Sequence, residues 1–347
     1  MLKLLLFPFA VLYDIVTRIR NHLYDNGLKP SVGFDLPVIG VGNLSVGGTG
    51  KTPVVEYLVR LLSADYKVAT LSRGYGRDSR GFLIASKDTD ARMVGDEPYQ
   101  FFRKFGKDVT VAVGEERALA IPLLLQEIED LDVILLDDSF QHRRVRPSMN
   151  ILLTDFNRPF YDDMVLPAGR LRESAYGAAR ADLILVTKCP PAISDDKLME
   201  VEKRIRVITG KPVFFTAIAY GTPIAFKQTS AVSGKEAILV TGIANASPLV
   251  EFVRKNFSLI RHISFADHHR YSRGDMEKLL TDSDGGKIPV LTTEKDMVKM
   301  DIAEFAEITK QIPLFYLPIT VQFLKNGSEF NEIIQNHVSA RRDKKSI

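Results

Sequence analysis

Tryptophan is absent from this 347-residue chain, and cysteine occurs once, at Cys189. A single thiol excludes an intramolecular disulfide framework and a multi-cysteine zinc site, and it fits a reducing cytoplasm. Charge of one sign is also scarce: 46 Lys and Arg face 43 Asp and Glu, a net of +3. Bulk charge therefore gives no reason to expect a nucleic-acid partner. No internal repeat of 20–50 residues is found. The most apolar N-terminal run, residues 4–13, stops at Asp14, short of the about 20 residues that a spanning helix needs. What remains is ordinary globular material, 45% hydrophobic and 26% charged. Its length suits two domains, or one large α/β domain with an addition.

The N-terminal "MLKLLLFPFAVLYDIVTRIRNHLY" has no A-x-A-like cleavage site after the apolar run, which argues against a secretory signal. Leu5, Phe9, Leu12, Val16, Ile19 and Leu23 recur at helical spacing, with Lys3, Asp14, Arg18 and Asn21 elsewhere on the wheel. Two readings stay open here. The helix lies in a membrane interface with Arg18 and Arg20 near anionic headgroups, or it packs on its own domain.

From Leu36 onward, short aliphatic runs alternate with longer amphipathic ones. Strands are expected at 37–42, 67–71, 109–113, 132–137, 149–154, 182–187 and 212–217, and helices at 52–63, 115–129 and 195–209. Unbroken apolar strands such as "DVILLDD" and "ADLILVTK" point to a parallel sheet covered on both faces. After a polar stretch, a second series follows: "AILVTGIA", "FSLIRHISF", "IPVLTTEKD" and "IPLFYLPI". The expected organisation is a helix at 1–26, a first domain at 27–219 and a linker at 220–235. A smaller α/β domain at 236–335 and a charged, frayed tail at 336–347 complete it. The fold class is α/β: a mostly parallel sheet of the P-loop type with helices on both faces, plus the second domain.

The stretch "VGNLSVGGTGKTP" (41–53) sits between an expected strand and an expected helix. The pattern G-x-x-x-x-G-K-[ST] wants glycine at position 45 and finds Ser45. The rest of the context suits a phosphate cradle: backbone N–H groups at a helix N-terminus, whose dipole favours anions. Ser45, Val46, Gly47, Gly48, Thr49, Gly50, Lys51 and Thr52 would line it, Lys51 reaching the β- and γ-phosphates and Thr52 holding Mg²⁺. Pro53 suits the first helical turn, where its missing N–H costs nothing. The strand "DVILLDD" ends on Asp137 and Asp138, an acidic pair placed to serve a metal ion beside a polyphosphate. Two solvated carboxylates at a strand end are the plainer alternative.

With these motifs placed, the chain resembles the tetraacyldisaccharide 4'-kinases, the lipid A 4'-kinases of Gram-negative bacteria. Beyond the loop, "LSRGYGR" (71–77), "GDEP" (95–98), "DDSFQH" (137–142), "LPAGRLRE" (166–173), "VTGIA" (240–244), "FADHHRY" (265–271) and "TEKD" (293–296) follow in the family's order. The family carries Ser or Thr where Ser45 stands. Ser139 departs from it, replacing the glycine usual after the two aspartates; a small local adjustment is expected there.

The resemblance implies transfer of the ATP γ-phosphate to the 4'-hydroxyl of a tetraacylated glucosamine disaccharide 1-phosphate, giving lipid IVA at the cytoplasmic face of the inner membrane. It favours the membrane reading of the N-terminal helix: peripheral, not spanning, and monomeric. It assigns the base to Asp96, assisted by His268, with His269 as the fallback. Asp138 and Glu173 would hold Mg²⁺ with Thr52, supported by Asp137. Arg117 and Arg172 become candidates for phosphate contacts, and Arg73, Tyr75, Arg77 and His142 for the substrate pocket. "VTK" and "TEKD" stand where a base-contacting loop could be. A partitioning or metallochaperone ATPase switch is the main alternative, although Val46 occupies the position where some of those carry an extra lysine. A soluble small-metabolite kinase is another, and would have no use for the apolar N-terminal helix.

Overall fold

The computed structural model describes residues 2–226 and 235–345, and the side chains of 5–226 and 235–342. Its strands in chain order are β1 Val38–Asn43, β2 Val68–Ser72, β3 Leu83–Ile84, β4 Val109–Val113, β5 Val133–Asp137, β6 Met149–Asp155 and β7 Leu183–Thr187. There follow β8 Val213–Tyr220, β9 Ile224–Ala225, β10 Glu236–Thr241, β11 Ser258–Ser264, β12 Val290–Thr293, β13 Leu314–Leu317 and β14 Ile319–Lys325. Nine of them form one sheet in the order β14-β8-β7-β6-β1-β5-β2-β4-β3. Its interior pairs are all parallel, and only the edge strands β3 and β14 run antiparallel. Five form a second sheet, β11-β10-β12-β13-β9.

Why the interior strands read as unbroken apolar runs is plain from their burial. Every residue of β1, β2, β5 and β7 is buried, because helices cover both faces. Alternate side chains serve opposite sides. Ile39 and Val41 meet Val54, Val55, Leu58 and Val59 of helix Lys51–Leu62, while Val38 meets Leu71, Ile121 and Leu124 on the other side. The helix that follows the glycine loop is thereby pinned to the sheet, and so is its N-terminus.

Two boundaries differ from those expected. The segment "IPLFYLPITVQFLK" is two strands, not one, separated at Pro318. The first belongs to the smaller sheet; the second, β14, returns to the large one and pairs antiparallel with β8. Helix Gly327–Lys345 then packs Phe330, Ile334 and Val338 into the core that holds β1 and its helix. The Tyr57 hydroxyl donates to Asn331 Oδ1 at 2.7 Å. Residues 319–345 are thus part of the first unit, and helix replaces the frayed tail as far as Lys345. The i, i+4 spacing of Phe330, Ile334 and Val338 explains why, since it gives the segment an apolar stripe to bury. Of the expected linker, residues 227–234 lie outside the described residues.

The N-terminal helix, Leu2–Asp25, is mounted with its polar face inward. Tyr13 Oη donates to the Arg172 carbonyl at 2.9 Å, Arg20 Nη2 to the Gln141 carbonyl at 2.7 Å, and Asn21 Nδ2 to Glu173 Oε2 at 2.6 Å. Ala10 and Thr17 are buried, whereas Leu5, Phe9, Leu12, Val16 and Ile19 are 56–66% exposed. Among the described residues, no helix is long and apolar enough to cross a membrane.

Candidate active site

The glycine loop leaves β1 at Asn43 and enters its helix at Lys51. Gly47 and Gly50 take φ of 103° and 82°, the left-handed region that glycine enters without strain. A side chain at Gly47 or Gly48 would meet only open space, so the loop backbone is exposed to whatever approaches. The loop's other side is anchored. Val46 N donates to the Arg170 carbonyl at 2.8 Å, Thr187 Oγ1 to the Thr49 carbonyl at 2.7 Å, and Lys188 Nζ to the Gly48 carbonyl. Lys188 also pairs with Asp155 at 2.9 Å, which makes it a brace for the loop and not a reader of a base. Thr49 Oγ1 is buried and without a partner.

Lys51 Nζ stands 3.4 Å from Asp138 Oδ1 and 3.4 Å from Asn43 Oδ1. Arg172 Nη1 donates to both Asp138 oxygens, at 3.1 and 3.2 Å. Burial works against ionising Asp138, but Lys51 and Arg172 outweigh it and hold the carboxyl below its ordinary range. Asp137 is the opposite case: burial pushes it up to about 6 despite Lys51. Its Oδ1 accepts from the Asp138 amide at 2.9 Å. Ser139 is buried, and its amide and hydroxyl both reach the Val41 carbonyl. Gly40 makes room for the hydroxyl, since a Cβ there would come within 2.8 Å of Ser139 Oγ.

Three of the expected residues are engaged by protein partners. Glu173 is buried and fully engaged: Oε1 accepts from Arg180 at 2.9 Å and Gln141 at 3.2 Å, and Oε2 from Asn21. It joins Asp138 through Gln141 and Arg172, without facing it across an open metal cage. Arg117 lies buried behind the acidic pair, with Nη2 on the Asp137 carbonyl at 2.5 Å, while its Nε and Nη1 lack partners. Burial lowers its pKa to about 10. Arg77 is turned inward to Glu115 at 2.6 Å. By contrast Arg73 and Tyr75 are exposed. His142 is half-buried, and burial together with Arg117 lowers its pKa to about 4, so it is neutral at pH 7.

Asp96 and His268 come from different sheets' connections yet meet. Gly95, at φ 97°, turns the chain so that Asp96 opens helix Asp96–Phe105. His268, itself at φ 58°, lies after β11 with Nδ1 3.5 Å from Asp96 Oδ2. His269 faces away: Nε2 is 3.2 Å from Asp275 Oδ2 and its ring stacks on Phe265 at 4.3 Å. The edge of the Tyr75–His268 pair brings the "RGYGR" loop to the same place, ring centroids 5.3 Å apart. Glu97, next to Asp96, is near enough for its charge to act on Asp137, so the dyad adjoins the phosphate loop.

Known proteins similar to this chain identify its family. The family described as tetraacyldisaccharide-1-P 4'-kinase matches residues 2–339. The chain belongs to that family. The tetraacyldisaccharide 4'-kinase of Flavobacterium johnsoniae is 42% identical over 342 residues, covering 97% of this chain and 98% of that one. The namesake enzyme of Bacteroides thetaiotaomicron is 41% identical, covering 96% and 92%. A crystal structure of LpxK from Aquifex aeolicus in complex with ATP superposes with a TM-score of 0.78 at 31% identity, over 97% of this chain and all of that one. In a kinase of this family, Lys295 and Lys299 of "TEKD" and the residues after it gain interest. From sequence, "TEKD", and so Lys295 but not Lys299, stands where a base-contacting loop could be; in the structure Lys295 lies beside His268 and Lys299 beside Asp96.

Proposed function

We propose that Asp96 accepts the proton of the attacking hydroxyl with His268 as its partner, while the 41–53 loop holds ATP. The activity is that of the family: ATP-dependent phosphorylation of the 4'-hydroxyl of a tetraacyldisaccharide 1-phosphate, a step of lipid A biosynthesis. Phosphoryl transfer asks the protein mainly for positioning and for neutralising charge. The open Gly47–Gly48 backbone, the Lys51 ammonium and the N-terminus of helix Lys51–Leu62 suit the triphosphate. Thr52 and Asp138 would hold Mg²⁺, whose contribution when bound is to offset charge on the phosphates. Among the described residues no three His, Cys, Asp or Glu side chains gather as a metal cage. Mg²⁺ commonly takes one or two protein oxygens and completes its shell from phosphate and water. Glu173 then keeps Gln141, Arg180 and the N-terminal helix in register beneath the site.

The N-terminal helix serves the acceptor's location. Its inner face touches Arg172 and Glu173, and the rest of the helix exposes eight large apolar side chains, an arrangement that fits a lipid surface better than water. The enzyme is therefore a peripheral protein of the membrane that carries its lipid substrate.

The observation that carries the base assignment is the 3.5 Å approach of Asp96 to His268. Its test is transfer from [γ-³²P]ATP to the tetraacyldisaccharide 1-phosphate by Asp96→Asn, His268→Ala and the double variant. Asp96→Asn should lower kcat by roughly 10²-fold or more with ATP affinity retained. The double variant should lose less than the product of the single effects, as residues acting as a unit do. Fully multiplicative losses refute the dyad, and a loss confined to ATP binding moves Asp96 to the nucleotide site.

A further inference from the structure

Helix Glu294–Met300 starts where β12 ends and projects Lys295 and Lys299, one turn apart, toward the two members of the dyad. Lys295 Nζ is 3.1 Å from His268 Nε2. Lys299 Nζ is 3.9 Å from Asp96 Oδ2 and 3.1 Å from Asp296 Oδ1. An ammonium has three donors and no acceptor, so an imidazole nitrogen that bonds to it must carry the lone pair. The other ring nitrogen then carries the proton, and in His268 that nitrogen faces Asp96.

We propose that Lys295 is a positioning residue that fixes the tautomer of His268, keeping Nε2 bare and the Nδ1 proton directed at Asp96. The proposal rests on the Asp96–His268 base assignment and adds to it what orients the imidazole. A neutral ring held this way turns its Nδ1–H toward Asp96, 3.5 Å away, so the carboxylate is the proton acceptor and the imidazole its aligned partner. Asp267 Oδ2 also lies near His268 Nε2, but at 4.0 Å; Lys295 is closer and itself pairs with Asp267 Oδ1 at 3.5 Å. Lys295 is held further by Glu97 Oε1 at 3.2 Å. Burial works to strip its proton, yet Glu97 and Asp267 outweigh burial and keep it an ammonium. Tyr75 adds only a ring edge.

The test uses the full chain labelled with ¹⁵N-histidine. Long-range ¹H–¹⁵N correlations report which ring nitrogen is protonated, and His268 is assigned by the signal lost in His268→Gln. In the wild-type protein at pH 8, His268 should show protonated Nδ1 and bare Nε2. Lys295→Met should shift it toward the Nε2–H form and lower kcat about 10-fold or more, with KM for ATP unchanged, on the scale usual for general-base assistance. Lys295→Arg, which restores a donor, should recover much of both. A wild-type His268 protonated at Nε2 overturns the proposal. So does a result in which Glu97→Gln, which removes only the other anchor of Lys295, costs as much turnover as Lys295→Met while neither moves the His268 signals. Failure of the underlying base assignment is read separately, as full turnover in Asp96→Asn whatever the spectrum shows.

Discussion

Replacing Leu5, Leu12 and Ile19 together by Gln tests whether the outward face of the N-terminal helix is built for lipid. These side chains are 66%, 61% and 56% exposed, so folding has already withdrawn less than half of their surface from water. Full burial of a large aliphatic side chain is worth about 1.5–3 kcal/mol, which leaves about 1–2 kcal/mol in each to be gained from a membrane. The triple change should therefore remove about 3–6 kcal/mol of membrane affinity, and at 1.4 kcal/mol per decade the partition coefficient should fall roughly 10²–10⁴-fold. Co-sedimentation with vesicles containing anionic lipid measures it. ATP binding and Tm should stay close to wild type, because the contacts to the body come from Tyr13, Arg20 and Asn21 on the other face. KM for the lipid acceptor should rise more than KM for ATP. Unchanged vesicle binding refutes the reasoning. A large fall in Tm refutes it too, since that face would then be packed against protein.

Lys51→Ala removes the ammonium beside Asp138 and should lower turnover about 10²–10³-fold, as loss of a charge-stabilising donor does. A folded Lys51→Ala enzyme with near-normal kcat would remove the loop from the phosphate site. His142 gives a pH signature. Its folded pKa, about 4, lies below the 6.5 of the free imidazole, so its contribution to stability is complete above pH 6.5 and is lost as pH falls through the window from 6.5 to 4. Below that window both states hold the proton and the slope vanishes. The loss should reach at most about 3 kcal/mol, and His142→Gln should flatten that part of the stability–pH curve measured by urea unfolding. An equal slope in wild type and variant would place His142 in a solvated setting.

Much of this was legible in the sequence, and for physical reasons. Buried parallel strands leave unbroken apolar runs, so β1, β5 and β7 announced themselves, and the glycine loop followed from one of them. Asp96 and His268 came through motif order in a family, since nothing in their separation of 172 residues implies contact. What stayed hidden depends on partners. The resemblance offered Glu173 as a metal ligand, but no sequence pattern shows that Arg180, Gln141 and Asn21 occupy its oxygens here. Nor does any show that Arg77, a substrate-pocket candidate, pairs with Glu115 from 38 residues away. The return of β14 was masked by Pro318, which sits between two strands whose apolar residues run together.

The position of Asp96, the proposed base, also follows from charges that no single motif displays. Helix Asp96–Phe105 is bonded on both flanks. Gln100 and Lys104 reach Glu56 of the loop helix at 2.8 and 2.6 Å, while Lys104 reaches Glu294 at 2.8 Å and Arg103 reaches Asp301 at 2.6 Å. Glu56 and Glu294 are buried, and Glu294 is pushed above its ordinary range by burial and by Glu56. Such a cluster adds little net stability, because desolvation offsets attraction; what it supplies is one definite geometry. Here that geometry sets the first turn of the helix, and Asp96 with it, between the phosphate loop and the smaller sheet. His268, Lys295 and Lys299 all come from the connections of the smaller sheet, the first from a loop and the two lysines from helix Glu294–Met300. On the proposed assignment, Asp96 of the first unit draws its partner His268 from the smaller one, so the alignment of the pair depends on how these contacts hold the two together.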